Sequence, residues 1–245
     1  MTDLLNQLQN HRSIRKFTTE PVNQETVEDL IRAGQAAATS SFIQACTVIQ
    51  ISQGERRAQL AELANNQAYV NDAPVFLVFC ADMHRHQIAC NLHNAPMKSG
   101  FTEQFLTASV DCALFAQNVV VAAESQGLGI CYIGALRNNP VAVSELLALP
   151  ELTYPLFGLC IGHPDQNPEV KPRLPLSVVL KQESYSDAGD EQALADYDTT
   201  VRQYYQTRTG NPRSQSWTEQ ISGMLQKEAR PHMLPFLQSR GFIKE

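Results

Sequence analysis

Residues 102–126 constrain the fold of this 245-residue chain more than any other segment. They read as one long helix, nearly apolar around Val110, Ala113, Leu114, Val119, Val120 and Val121. A helix apolar on most of its sides belongs in the middle of a core or in an interface. Gly127 follows in the usual helix-ending role. The flanking segments supply the covering layers. Residues 46–51, 74–81, 128–133 and 154–161 read as strands. Residues 24–37 read as a helix with Asn23 as N-cap and Val27, Leu30, Ile31 and Gly34 on its inward face. Further helices are predicted at 53–63, after the Asn139-Pro140 start signal, and near 192–206, 216–228 and 232–240. Strands and helices interleave, so a sheet covered by helices is expected. With no repeat and no composition break, the reading is one domain spanning 1–245. The Gly/Pro/Ser-rich stretch 207–216 sets off a C-terminal arm of about 204–245.

Composition removes several function classes. A formal charge of -6 argues against a generic nucleic-acid coat, although a single bound phosphate responds only to local charge. No apolar run is read as long enough to span a bilayer, and the N-terminus lacks the apolar core of a signal peptide, so a cytoplasmic protein with no membrane partner is expected. The six cysteines, Cys46, Cys80, Cys90, Cys112, Cys131 and Cys160, form no CxxC pair and mostly sit inside apolar runs. They read as buried thiols and not as a disulfide framework. His84, His86, Cys90 and His93 fall in a stretch that reads as a mobile loop after a strand. Their spacing does not match a closed zinc site, and no metal is expected.

Two basic clusters stand out in this acidic chain: His11-Arg12-Ser13-Ile14-Arg15 and Lys171-Pro172-Arg173-Leu174-Pro175. Residues before proline favour extended backbone, so Lys171 and Arg173, two apart, are expected to project from one side. Each cluster alone reads equally well as a solvated charged face. Gly127-Leu128-Gly129 is not a dinucleotide fingerprint, because these glycines precede a strand instead of following one.

Taken in order, HRSIR at 11–15, TSSF at 39–42, GLGICYIGALRNNP at 127–140, PLFGLCIGHP at 155–164 and KPRLP at 171–175 closely resemble the FMN-dependent nitroreductase family. The resemblance is to its NADPH-preferring, oxygen-insensitive branch and runs over essentially the whole chain. It implies an α+β fold: a three-layer sandwich with a mixed sheet covered by helices and an extended C-terminal arm. It also implies a homodimer with active sites at the subunit interface.

The same resemblance implies the site residues. His11, Ser13, Lys171 and Arg173 hold the FMN phosphate, with Arg12 on the phosphate or ribityl chain. Arginine suits such a role through its planar fork of donors. Arg15 sits at the pyrimidine edge, and Gln67 and Tyr69 at the polar edge of the ring. Tyr132, Ile133, Gly134 and Ala135 lay their backbone along the flavin, with the Gly134 N–H at N5. Alanine at 135 departs from the second glycine common in the family. Thr39 contacts flavin, and Ser41 borders the substrate space. Arg208 and Arg213, around Thr209-Gly210-Asn211-Pro212, read the 2′-phosphate of NADPH, and Arg230 flanks the substrate pocket.

The implied activity is NADPH-dependent, two-electron, ping-pong reduction of nitroaromatics, quinones or related small acceptors, with the chemistry at FMN N5 and no protein catalytic group. A flavin reductase releasing reduced FMN is the alternative on the same scaffold, and a non-catalytic flavin-binding protein the alternative of a different class.

Overall fold

The computed structural model describes residues 4–210 and 213–244. The chain forms two compact units, Met1–Gln166 with Arg230–Glu245, and Asn167–Ala229. The first contains α1 (Leu4–Gln9), α2 (Gln24–Gln35), β1 (Cys46–Gln50), α3 (Glu55–Leu63), α4 (Ala68–Asp72), β2 (Val75–Asp82), α5 (His84–Leu92), α6 (Thr102–Ser125), β3 (Gly129–Ile133), α7 (Pro140–Leu146) and β4 (Thr153–Gly162). The second contains α8 (Leu176–Val179), α9 (Asp190–Thr207) and α10 (Trp217–Leu225), and α11 (Met233–Ser239) belongs to the first again.

Local signals set the boundaries. The Asn23 side chain accepts the Thr26 N–H at 2.7 Å and opens α2. Asn139 accepts from Ala142 N–H at 3.2 Å, with Pro140 at the first helical position of α7. Gly127, at φ +77°, ends α6: its N–H bonds Glu124 O and the Leu128 N–H bonds Ala123 O, both at 3.0 Å. Those two bonds form a Schellman cap, which needs a left-handed residue where glycine stands.

The sheet has order β1-β2-β4-β3, and every strand pairing is antiparallel. The α+β class is as expected. The mixed character expected of the sheet comes down to one isolated parallel bridge, Ser13 to Ile130. All eight residues of β2 are buried. Its alternate side chains divide between two cores, as the pleat requires. Val75, Leu77 and Phe79 meet Leu30 of α2 and Cys112, Ala116 and Val119 of α6. Phe76, Val78 and Cys80 meet Leu60 and Ala61 of α3, Leu136 of the turn that follows β3, and Val143 of α7. Helices therefore cover both faces of the sheet.

Three readings need correction or sharpening. Helix α6 is in fact long and apolar enough to cross a membrane by length and composition. It nevertheless packs on α2 and the sheet, and a fully buried carboxylate, Asp111, sits in its middle. Residues 84–92 are the helix α5 and not a loop, because the Asp82 carboxylate accepts the His84 N–H at 2.8 Å and the Arg85 N–H at 3.3 Å. That capping bond supplies partners for helix-end donors that otherwise have none. The thiols are free; burial pushes those of Cys80, Cys131 and Cys160 up, so they behave as small apolar groups.

Asp111 accepts the Ser40 N–H at 3.0 Å and the Ala45 N–H at 3.3 Å, clasping both ends of the turn between them. Within it Ser41, Phe42 and Gln44 hold φ of 48°, 57° and 58°, a region costly for residues with a Cβ. Replacing Asp111 with alanine leaves the buried Ala45 N–H unpaired and frees the Ser40 N–H, and a stability loss of about 1–3 kcal/mol is expected. Urea unfolding midpoints measure it; an Asp111→Ala protein as stable as the parent would show that the turn is held otherwise.

Candidate functional site

The HRSIR segment lies along the free edge of β3. The Ile14 N–H donates to Ile130 O at 2.8 Å, and the Thr18 N–H donates to His163 O at 2.9 Å. This pairing covers an edge strand that would otherwise present unpaired backbone groups. Ile14 is buried, and a Cβ on Gly129 would come within 2.6 Å of it, so glycine permits this close approach. By alternation Ser13 and Arg15 face away from Ile14. Since Ile130 turns its carbonyl to this edge, Tyr132 two residues on turns its main chain the same way. The Tyr132 ring itself packs edge-on against Phe157 in the core, with centroids 5.0 Å apart, so what it offers a ligand is backbone. His11 is oriented through Nδ1, 2.5 Å from the Glu124 carboxylate. Arg12 and Ser13 are partly buried, whereas Arg15 is exposed.

Arg15 hydrogen-bonds Tyr69, and its charge acts on the Cys131 thiol. Burial raises the Tyr69 phenol above its ordinary value, and a hydrogen bond from Arg15 opposes that rise. Tyr69 lies in α4, and Gln67 is the residue at the start of that helix. A side chain that sequence reading missed anchors this segment. The Arg57 guanidinium is buried, donates to Val70 O at 2.7 Å and to Ala73 O, and lies over the Phe76 ring. An arginine in a polar helix reads as surface, and no sequence signal marks this one.

After β3 the chain turns through residues Gly134–Asn138. Gly134 and Ala135 are partly buried, and Ile133 is fully so. Arg230 comes to this turn: its Nε donates to Asn138 Oδ1 at 2.9 Å and its Nη2 to Gly134 O at 3.4 Å. Asn138 in turn donates to Asn65 Oδ1 at 3.0 Å, tying the turn to the segment just before Gln67. The neighbouring Arg137 donates to Leu156 O at 2.5 Å; burial, then the charge of Arg230, lowers its pKa.

In the 39–42 turn, Ser41 is exposed. Thr39 is different: its hydroxyl is buried and has no hydrogen-bond partner among the described residues. Such a group calls for a partner from outside the chain.

In the second unit, Lys171 and Arg208 converge on one aromatic ring. The Arg208 guanidinium lies 4.5 Å from the Tyr205 centroid and Lys171 Nζ lies 5.7 Å from it. Burial raises the Tyr205 phenol, but a hydrogen bond and the charge of Lys171 more than offset this and leave it below its ordinary value. Tyr197 donates to Pro172 O at 2.9 Å and fixes the backbone between Lys171 and Arg173, both exposed. Arg213 is exposed, with its N–H bonded to Tyr205 O at 3.3 Å. Asn211 and Pro212 lie outside the described residues.

The first unit thus gathers Arg15, Tyr69, the Tyr132 and Gly134 backbone and Arg230 around the C-terminal end of β3, and the second gathers Lys171 and Arg208 on Tyr205. Asn65, Asn138, Arg57 and Asp111 are the supporting residues that sequence reading left out. Only the NNP run hinted at one of them.

The first unit is a helix-covered antiparallel sheet with a basic segment laid on its β3 edge. Residues 8–163 match the model of the Nitroreductase family, and residues 171–245 match that of the Nitroreductase family, C-terminal domain. The chain is 47% identical over 234 residues to the NADPH-flavin oxidoreductase of Vibrio harveyi, covering 96% of this chain and 95% of that protein. It is 43% identical to the oxygen-insensitive NADPH nitroreductase of Salmonella typhimurium over 99% of both chains. A solved structure of the NADPH:FMN oxidoreductase from Vibrio harveyi complexed with NAD+ superposes with a TM-score of 0.91 at 43% identity, again covering 99% of both chains. The chain belongs to the nitroreductase family.

One contact in the tail is set by pH. Glu169 accepts the Thr209 N–H and hydroxyl, both at 3.0 Å, and the backbone hydrogen bond from Thr209 lowers its pKa first of all. A lowered folded-state pKa means that the contact is fully present above the ordinary carboxylate range and lost as pH falls through the lowered value. The Thr209 amide resonance is expected to titrate with a midpoint below that of an ordinary glutamate. A midpoint at or above the ordinary value would rule the contact out.

Proposed function

We propose that this protein is an FMN-dependent oxidoreductase that takes two electrons from NADPH and delivers them to nitroaromatics, quinones or related small acceptors. The observation that carries this reading is the convergence of Arg15 with Tyr69, the edge-facing backbone of Tyr132, and Arg230 on the Gly134 carbonyl around the end of β3. The names of the relatives support it, since both pair NADPH with a flavin or nitro-group reduction.

The residues present fit the cofactor. A flavin mononucleotide needs cations for its phosphate, donors along its ring edge and positive charge where reduction leaves electron density. His11, Arg12, Ser13, Lys171 and Arg173 are the phosphate residues of this reading. Gln67, Tyr69, Ile133, Gly134 and Ala135 are its ring-edge and backbone residues. The unpartnered Thr39 hydroxyl is a polar group awaiting a ligand. Arg15, exposed and fixed in charge, is the cation for the pyrimidine end. When bound, FMN supplies the N5 position that accepts and returns hydride. Ser41 and Arg230 border the space that NADPH and acceptor occupy in turn. Arg208 and Arg213 read the nucleotide 2′-phosphate, and Tyr205 holds Arg208 ready for it. In this reading the chain counts as a single domain, and the enzyme acts in the cytoplasm. A second reading, release of reduced FMN to another enzyme, is favoured by the name of the Vibrio harveyi relative.

The deciding experiment is stopped-flow reduction of the yellow protein by NADPH and NADH, followed by nitrofurazone, a quinone or free FMN as acceptor. Fast reoxidation by the first two supports the main reading, preference for free FMN the second, and no bleaching by NADPH sinks both. Loss of a charged hydrogen bond costs about 1.5–3 kcal/mol, roughly 10- to 150-fold, before solvent exposure reduces it. Arg208→Ala is therefore expected to weaken NADPH and leave NADH unchanged; an unaltered NADPH-to-NADH ratio would remove Arg208 from the phosphate site.

Assembly as a homodimer belongs to the same proposal. Leu106, Val110 and Leu114 are 49%, 53% and 45% exposed and recur every fourth residue along α6, an apolar stripe of the kind that a partner covers. Light scattering is expected to give twice the chain mass. A fully active, FMN-loaded monomer would end the shared-interface idea.

A further inference from the structure

Arg230 precedes Pro231, a position biased toward extended backbone, yet its φ is +57°. Left-handed backbone at a bulky residue is costly and persists only where surroundings hold it. Two bonds hold its side chain, from Nε to Asn138 Oδ1 at 2.9 Å and from Nη2 to Gly134 O at 3.4 Å. Both acceptors are neutral. None of the ion pairs among the described residues includes Arg230.

The Asn138 amide is fixed from both ends. Its oxygen faces the Arg230 donor, and its nitrogen donates to Asn65 Oδ1 at 3.0 Å. Rotating the amide by half a turn would set donor against donor and acceptor against acceptor. Leucine has the volume but neither bond. Aspartate keeps the acceptor for Arg230 but brings a charge that neutralises the guanidinium and an oxygen that opposes Asn65. Asparagine alone aims the arginine and leaves its charge uncompensated. Asn65, at φ +62°, stands two residues before Gln67, so the same amide links the Gly134 turn to the Gln67–Tyr69 segment.

We propose that Asn138 is a positioning and specificity residue, a neutral clamp that aims Arg230 across the Gly134 turn and keeps its full positive charge for an anionic group on the substrate. This inference rests on the reading of Arg230 as a substrate-flanking residue. It commits the site to favour acceptors bearing a carboxylate or phosphate over neutral ones of the same shape.

The test uses the FMN-loaded enzyme and its variants Asn138→Ala, Asn138→Asp, Arg230→Ala and the double alanine. FMN per chain and melting temperature are recorded beside KM and kcat for 4-nitrobenzoate and 4-nitrobenzyl alcohol. Asn138→Ala is expected to raise KM for the anionic acceptor about fivefold, the scale of coupling between contacting residues. The double variant should be no worse than Arg230→Ala. Asn138→Asp is expected to raise KM for nitrobenzoate and spare the alcohol, a split that a merely structural role would not give. Effects of the two alanine variants that multiply would overturn the clamp, as would an aspartate variant that treats both acceptors alike. If Arg230→Ala is itself silent, the substrate-flanking reading fails and the clamp with it. If Arg230→Ala is impaired while Asn138→Ala is not, the clamp alone fails.

Discussion

Burial of β2 on both faces is the constraint from which the other features of the first unit follow. A strand with eight consecutive buried residues needs an apolar layer on each side and a strand on each edge. Helices α2 and α6 supply one layer, and α3 and α7 with the Gly134–Asn138 turn supply the other. β1 and β4 take the two edges, which leaves β3 outside β4 with an open side. The basic segment at residues 11–15 settles there, held by the Ile14 to Ile130 hydrogen bond. The candidate site thus lies where a strand of a packed sheet runs out, on main chain held by hydrogen bonds.

Around that rigid end the chain accepts locally unfavourable backbone. Ser41, Asn65, Asn66 and Arg230 all have positive φ, and each stands in or beside a turn carrying a candidate residue. Asparagine tolerates this conformation better than most residues, whereas serine and arginine need outside support. Asp111 supports the first turn from α6, and Asn138 supports Arg230 from the turn after β3. Buried or half-buried polar side chains, each bonded to more than one group, set these geometries, which is how a small site keeps its donors pre-aimed.

Much of this was legible in the chain. The N-caps Asn23 and Asn139, the stop at Gly127 and the four strand runs are short-range signals, and the elements formed where those signals placed them within a few residues. The family was legible from five motifs in order along the chain. Residues 84–92 were misread as a loop because their polar face shows little amphipathic pattern, and the capping group, Asp82, lies inside the preceding strand. The mixed sheet was misjudged because strand direction depends on which runs pair, and the pairing β2 with β4 joins residues about eighty positions apart.

By itself the sequence determined most of the helices and strands and where they stop, and it showed where the scarce cations of an acidic chain are clustered. Those properties are local: hydrophobic period, capping side chains and glycine freedom act within a few residues. Only the tertiary structure decided that Arg57 and Asp111 are buried supports, that Arg15 meets Tyr69, and that Asn138 holds Arg230. Each of these is a contact between residues more than a dozen apart. A polar side chain in a sequence carries no mark of whether packing will close over it. Its partner is fixed only when the sheet, its two covering layers and the turn after β3 have taken their places.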